Sequence, residues 1–247
     1  METFETKKNP ELFCGQYRKF WFVKVGKTAN TAVKKTLAKY ISNEQGINVP
    51  GWHQSTHAQY GRLDPHSTAQ EIISKFSYEE FMKIYSFGFA RNPWDRAVSC
   101  FFMLKQRHRV KEFKSLRFDE WLRITYKNCQ YLAANNLYPE GPRPDESFQS
   151  PGHADFSWYG PWTKSCYDYF IYDSKIVVDF IGKFENLQED FNTICRKIGI
   201  QDPPKLKRYQ KTRHKHYTKY YPTQELKDMV EFIYKNDVEH FGYKFEE

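Results

Sequence analysis

Cysteine is scarce in this chain and follows no pattern. The five residues, Cys14, Cys100, Cys129, Cys166 and Cys195, include no Cys-x-x-Cys pair. An odd count without that spacing argues against a disulfide framework and a structural zinc site, and fits a reducing compartment. No metal-ligand cluster is evident, so no metal is expected. Long apolar runs are missing as well: no stretch approaches the length of a membrane span. The opening METFETKKNPELF lacks the apolar core of a signal peptide. With Met at its first position, the chain is expected to be complete and cytoplasmic. Internal repeats and low-complexity segments are absent. Acidic residues are missing from one stretch: residues 205 to 219 hold Lys205, Lys207, Arg208, Lys211, Arg213, Lys215 and Lys219, with His214 and His216. This is a solvated basic loop or a contact for phosphate or polyanion.

What is present describes a globular protein. Apolar residues make up 40% and charged residues 28% of 247 positions, enough to bury a core in one domain. The formal net charge of +8 favours anionic partners: nucleic acid, anionic lipid, or sulfated and phosphorylated ligands. Charge alone does not choose among them.

The hydrophobic pattern predicts βα units. Phe20 to Val25 (FWFVKV) is a short bulky run of the kind found in buried strands. A turn, GKTANT, leads to a helix over 31–40, with Val33, Leu37 and Tyr40 on one face. Two short helices are expected over 68–76 and 78–85, with Ser77 and Glu80 forming a capping box for the second. Ser86 to Ala90 reads as a strand. Asn92 caps the following helix, with Pro93 in its first position. Trp94, Ala97, Val98, Phe101 and Phe102 form its buried stripe, and Ser99 falls on another face. A long loop is expected over 138–162, and one or two strands over 175–184. Helices follow over 187–198, stopped by Gly199, and over 223–241, with Leu226, Val230, Ile233 and Phe241 inward. The alternation predicts an α/β fold with a central, mostly parallel sheet flanked by helices.

Two stretches carry chemistry. The first, Val25-Gly-Lys-Thr-Ala-Asn-Thr31, joins a strand to a helix. Backbone N–H groups and the positive end of the helix dipole make such a junction an anion cradle. Lys27 adds a full charge, and Thr28 and Thr31 add hydroxyl donors. The GKT triplet suggests a nucleotide triphosphatase, and IVVD (Ile176 to Asp179) has the look of its acidic strand. Yet the phosphate loop of that class needs a glycine five positions before Gly26, where this chain has Trp21. The second stretch is GFARNPWDRAVSCFF, within Phe87 to Phe102. Arg91 ends a strand and has the planar fork for bidentate phosphate binding, with Ser99 as a second donor. Alternatively Arg91 pairs with Asp95. Arg96 reads as structural, pairing with an acid.

Together, strand–KTxxT–helix and FxFxRNPWDRxVS resemble the PAPS-dependent sulfotransferases (PAPS, 3′-phosphoadenosine 5′-phosphosulfate), the carbohydrate branch above all. PHSTAQEI (Pro65 to Ile72), DFIGKFENLQEDF (Asp179 to Phe191) and YYPTQELKDMVEFIYKNDVEHFGYKF (Tyr220 to Phe245) extend the likeness over nearly all of the chain after residue 18. The resemblance implies the P-loop-like sulfotransferase fold as one domain over residues 1–247. It implies that Lys27, Thr28, Ala29, Asn30 and Thr31 hold the 5′-phosphosulfate, with Lys27 as the catalytic lysine. It assigns Arg91 and Ser99 to the 3′-phosphate, with Arg208 and Arg213 in the basic loop as candidates for closing over the cofactor. The family loop often reads PKTxxT; here Gly26 replaces the proline, loosening the turn without moving the lysine.

Transfer then rests on positioning and charge stabilisation, with Lys27 neutralising the leaving phosphate oxygen. A base takes the acceptor proton. His66, in the matching PHSTAQEI block, is the first candidate, and His57, His53 and Glu71 are reserves. The expected partners are PAPS and a small-molecule or oligosaccharide acceptor, not nucleic acid. Trp52, Trp158, Tyr159 and Trp162 are loop aromatics available to stack on a sugar. The alternatives are a P-loop kinase or NTPase and a non-enzymatic polyanion binder.

Overall fold

A computed structural model describes residues 13–14, 17–18, 20–40, 66–107, 114–134, 164–207, 209 and 213–246. The loop expected over 138–162 lies outside them. The chain divides into two compact units. The first comprises Met1–Val25, Ala29–Ala90 and Tyr169–Tyr209; the second comprises Gly26–Thr28, Arg91–Asp168 and Gln210–Glu247.

The first unit is built on a parallel sheet of β3 (Phe20–Val23), β4 (Tyr85–Ala90) and β7 (Phe180–Lys183), in the order β3-β4-β7. Phe22 lies opposite Phe87, and Gly88 opposite Ile181. Two short antiparallel pairs accompany it: β1 (Phe13–Cys14) with β2 (Tyr17–Arg18), and β5 (Ile171–Tyr172) with β6 (Lys175–Ile176). Its helices are α1 (Asn30–Leu37), α2 (Ala69–Phe76), α3 (Tyr78–Lys83) and α6 (Leu187–Lys197). The α/β class with a parallel sheet flanked by helices is therefore as the sequence implied.

Alternation along the strands explains why FWFV is apolar throughout. Phe20 and Phe22, with Phe87 and Phe89, enter a core formed with Val33 and Leu37 of α1 and Phe191, Ile194 and Cys195 of α6. Trp21 points the other way, its ring 5.1 Å from that of Phe76 and 6.1 Å from that of Phe81. A sheet covered on both faces has no polar side to write into its sequence. Gly88 is required by a close approach: a Cβ there would lie 2.2 Å from the Phe170 ring and 2.9 Å from the carbonyl of Val23.

Several local expectations shift. β3 ends at Val23, where its pairing with Gly88 ends, and not at Val25. The reciprocal capping box sits one helix earlier than expected. Thr68 accepts from Glu71 N at 3.2 Å, and Glu71 accepts from Thr68 N at 2.8 Å. Ser77 accepts from Glu80 N at 3.3 Å, but it is Glu79 whose carboxyl is held below its usual value, by backbone hydrogen bonding first and by Ser77 second.

The second unit is helical: α4 (Pro93–Arg107), α5 (Phe118–Ala134), α7 (Gln224–Ile233) and α8 (Lys235–Phe241). Asn92 caps α4 as expected, its Oδ1 accepting from Trp94 N at 3.1 Å and Asp95 N at 3.3 Å. Trp94, Ala97, Val98 and Phe101 are buried, whereas Phe102 is half-buried and stacks on His214. The continuous helix expected over 223–241 breaks at Tyr234, whose ψ of 35° leaves the helical range. Past that break Asp237 turns into the interior and Phe241 is only half-buried.

Candidate functional site

The loop after β3 has an unusual backbone. Lys27 has φ 68° and Ala29 φ 63°, both left-handed without being glycine, while Thr28 between them is not. Such alternation turns successive N–H groups toward one side and makes an anion-binding concavity. In the second unit, two arginines grip this loop from its carbonyl side. Arg91 donates from Nη1 to Lys27 O at 2.9 Å, and Arg96 donates from Nε to Gly26 O at 3.1 Å. Thr28 is fully buried.

Arg91 is nearly buried and is held on its other edge by Asp95, with Nε to Oδ2 at 2.9 Å and Nη2 to Oδ2 at 2.7 Å. The Arg91–Asp95 pair weighed from the sequence is thus formed. Asp95 and Ser99 are one turn apart on the same face of α4. Ser99 is itself buried.

Arg96 was expected to pair with an acid, and its partner is Asp237, with Nη1 to Oδ2 at 3.7 Å. Both side chains are 0% exposed. Nη1 of Arg96 also donates to Lys164 O at 2.8 Å, and the guanidinium lies 5.2 Å from the Tyr234 ring centroid. Asp237 accepts from the amides of Cys166 and Tyr167, both at 2.8 Å. Burial pushes its carboxyl up to about 6, against the pull of Arg96 and those two amides. The Cys100 thiol reports on the surrounding charge. Burial raises its pKa, while Arg96, Lys27 and Arg91 each pull it down. Arg96, Lys27 and Arg91 are therefore all within electrostatic reach of Cys100.

In the first unit, Ala29 begins α1 without a capping side chain, and no acid stands in the first turn. Asn30 donates from Nδ2 to Val25 O at 2.6 Å, closing the turn, and Thr31 follows in the helix. The half-buried His66 has Nδ1 2.9 Å from Lys24 O. A carbonyl can only accept, so Nδ1 carries the proton and Nε2 is the basic nitrogen of the neutral ring. Glu71 is committed to its capping box. His53, His57, Trp52, Trp158, Tyr159, Trp162 and Arg208 lie outside the described residues, and Arg213 is exposed.

Asp179, the acid of IVVD, accepts from Ser86 N and Ser86 Oγ, both at 2.7 Å, immediately before β7. That is the amino end of the parallel strands, whereas the GKT loop leaves the carboxyl end of β3, where ligands of such sheets bind. Among the described residues, no group of three or more His, Cys, Asp or Glu could hold a metal ion. Among them, too, no helix is long and apolar enough to cross a membrane.

Sequence reasoning missed Asp237. It stands four residues after Ile233 and four before Phe241, in register with the face expected to be inward, where an acid needs a buried partner. The available signal was Arg96, an arginine set within an apolar helix and in need of an acid.

Comparison with known proteins bears on this arrangement. The family model described as the sulfotransferase family matches residues 11–244. An uncharacterized protein of Archaeoglobus fulgidus is 27% identical over 116 residues, covering 47% of this chain and 68% of that protein. No solved structure matches.

Proposed function

The chain belongs to the sulfotransferase family, and from that premise we propose that it transfers a sulfuryl group from PAPS to a hydroxyl or amine of an acceptor, with a carbohydrate hydroxyl favoured. The domain performing this spans residues 1–247. The observation that carries the reading is the loop at Lys27 to Ala29, with two left-handed residues and two arginines bound to its carbonyls. This combination suits a multiply charged anion and needs no metal to bind one.

In this reading the amides of the loop, with Thr28, Ala29, Asn30 and Thr31, hold the 5′-phosphosulfate. Arg91 and Ser99 take the 3′-phosphate; Asp95 orients the arginine so that its fork is set in advance. Arg208 and Arg213 contribute from the basic stretch. When bound, PAPS supplies the sulfuryl group and a phosphate leaving group. The acceptor oxygen forms a bond to sulfur as the bond from sulfur to the phosphate oxygen breaks. Lys27 neutralises the charge that gathers on that leaving oxygen. The acceptor proton passes to Nε2 of His66, made basic by the Nδ1 contact to Lys24 O. The kinase alternative loses its acidic strand, because Asp179 is bound at the other end of the sheet.

Thermal unfolding with adenosine 3′,5′-bisphosphate, without magnesium, tests the reading against ATP with magnesium. A ligand at 100 times its Kd stabilises the folded chain by about 2.7 kcal/mol, so a clear upward shift with the bisphosphate alone is expected. A shift only with magnesium and ATP rejects the proposal. Lys27→Ala is then expected to lower kcat for sulfuryl transfer by about a hundredfold or more, the usual effect of removing one transition-state charge partner.

A further inference from the structure

Two consecutive carbonyls of the loop end on arginines of the second unit: Gly26 on Arg96 at 3.1 Å, and Lys27 on Arg91 at 2.9 Å. In a trans peptide, the C=O and the N–H that follows it point in opposite directions. Pinning these carbonyls onto arginines therefore turns the amides of Lys27 and Thr28 away from them. Those are the donors that a loop of alternating handedness offers to an anion. The left-handed φ of 68° at Lys27 is a conformation that persists only where its surroundings enforce it.

Arg91 has a second task in the reading above, but Arg96 does not. Its side chain is 0% exposed, so it is closed to a solvent-borne ligand. Its other contacts include Lys164 O at 2.8 Å and Asp237, which is fixed in turn by the amides of Cys166 and Tyr167. The guanidinium is thus clamped from behind and presents Nε–H to the loop.

We propose that Arg96 is a positioning residue for the phosphosulfate loop, acting through the Gly26 carbonyl to aim the Lys27 amide before any ligand arrives. The inference takes the name of the ligand from the PAPS reading; the action on the loop does not depend on it. Lysine would keep the charge opposite Asp237, but its single ammonium lacks the planar fork that reaches the Gly26 and Lys164 carbonyls together.

The test compares wild type, Arg96→Lys and Asp237→Asn by backbone ¹⁵N relaxation without ligand. The Lys27 and Thr28 amides are expected near the rigid order parameter of about 0.85 in wild type and Asp237→Asn, and below about 0.6 in Arg96→Lys. An unchanged loop in Arg96→Lys overturns the proposal. So does an equal loosening in Asp237→Asn, which would assign the effect to packing of the buried cluster. Should Arg96→Lys fail to fold, the wild-type values decide: loop amides near about 0.85 support preorganisation, and values below about 0.6 overturn it.

Calorimetry supplies the functional readout. Arg96→Lys is expected to weaken adenosine 3′,5′-bisphosphate by about tenfold or more, the worth of one charge-assisted hydrogen bond. Adenosine 3′-monophosphate, which lacks the 5′ group, should bind as to wild type; a parallel loss of both overturns the proposal. A wild-type chain that binds neither nucleotide refutes the PAPS reading, and the order parameters still decide the role of Arg96.

Discussion

The sheet core of the first unit and the Arg96 cluster of the second are both fully buried, yet they are made of opposite materials. Around β3 and β4 the interior is Phe20, Phe22, Phe87 and Phe89 with aliphatic partners. Around Arg96 it is a carboxylate, backbone amides and two thiols. Apolar burial is non-directional and scales with area. It stabilises a sheet but does not select the direction of a peptide plane. A buried ion pair loses most of its Coulomb energy to desolvation, but each of its hydrogen bonds has one acceptable geometry. The chain uses the first material to hold strands and the second to hold a loop.

The contrast is sharpest in paired substitutions. Phe22→Ala is expected to cost about 3–5 kcal/mol in denaturant melts, through lost burial and the cavity left. Arg96→Met is expected to cost a similar amount, about 3–5 kcal/mol, because Asp237 is left buried and uncompensated. Adding Asp237→Leu should return part of the second loss, whereas no further truncation restores the first. A double variant less stable than Arg96→Met would break the comparison. Gly88→Ala tests how tightly the sheet side is filled. Its Cβ meets Phe170 and the Val23 carbonyl, and overpacking of this kind costs about 1–3 kcal/mol.

Asp237 also makes a pH prediction. Its folded pKa of about 6 lies above the ordinary 3.8, because burial outweighs Arg96. Folding therefore favours the neutral acid. The stability this contributes is full below the unfolded value and fades as pH rises through about 6. Relative to Asp237→Asn, wild type should lose stability between pH 4 and pH 7. A gain over that range would mean that Arg96 outweighs burial. The smallest effect expected is chemical. Burial pushes the thiols of Cys129 and Cys195 up to about 12 and raises those of Cys100 and Cys166. Thiol-reactive disulfides at pH 8 should label these four at least about a hundredfold more slowly in the native chain than after unfolding.

Local features were readable in advance because their partners lie within a helical turn or two. The Asn92 cap, the proline at the first position of α4, the stripe from Trp94 to Phe101 and the Arg91–Asp95 pair all depend on spacings of two to four residues. That residues 27–31 lead from β3 into α1 was legible for the same reason, although not that Lys27 and Ala29 would be left-handed. The Asp179–Ser86 bond, the Gly26–Arg96 bond and the Arg96–Asp237 pair join distant parts of the chain. A pattern of polar and apolar letters carries no record of such partners. The capping box was misplaced between two sites that both match its consensus, because what separates them is which glutamate reaches its serine or threonine.

The order β3-β4-β7 has a consequence for how the chain comes to be folded. β4 is the middle strand, and its two neighbours lie far from it in sequence, one on either side. Parallel pairing across such separations closes slowly, since loop entropy is lost before contacts repay it. During synthesis β4 can find β3 early, but its other edge stays open until the ribosome has released the segment through Lys183. Throughout that interval an aromatic strand presents an unpaired ladder. The vulnerable species in this protein's life is therefore the nascent chain, and its yield on expression should respond to translation speed and to chaperones more than to changes that stabilise the finished fold.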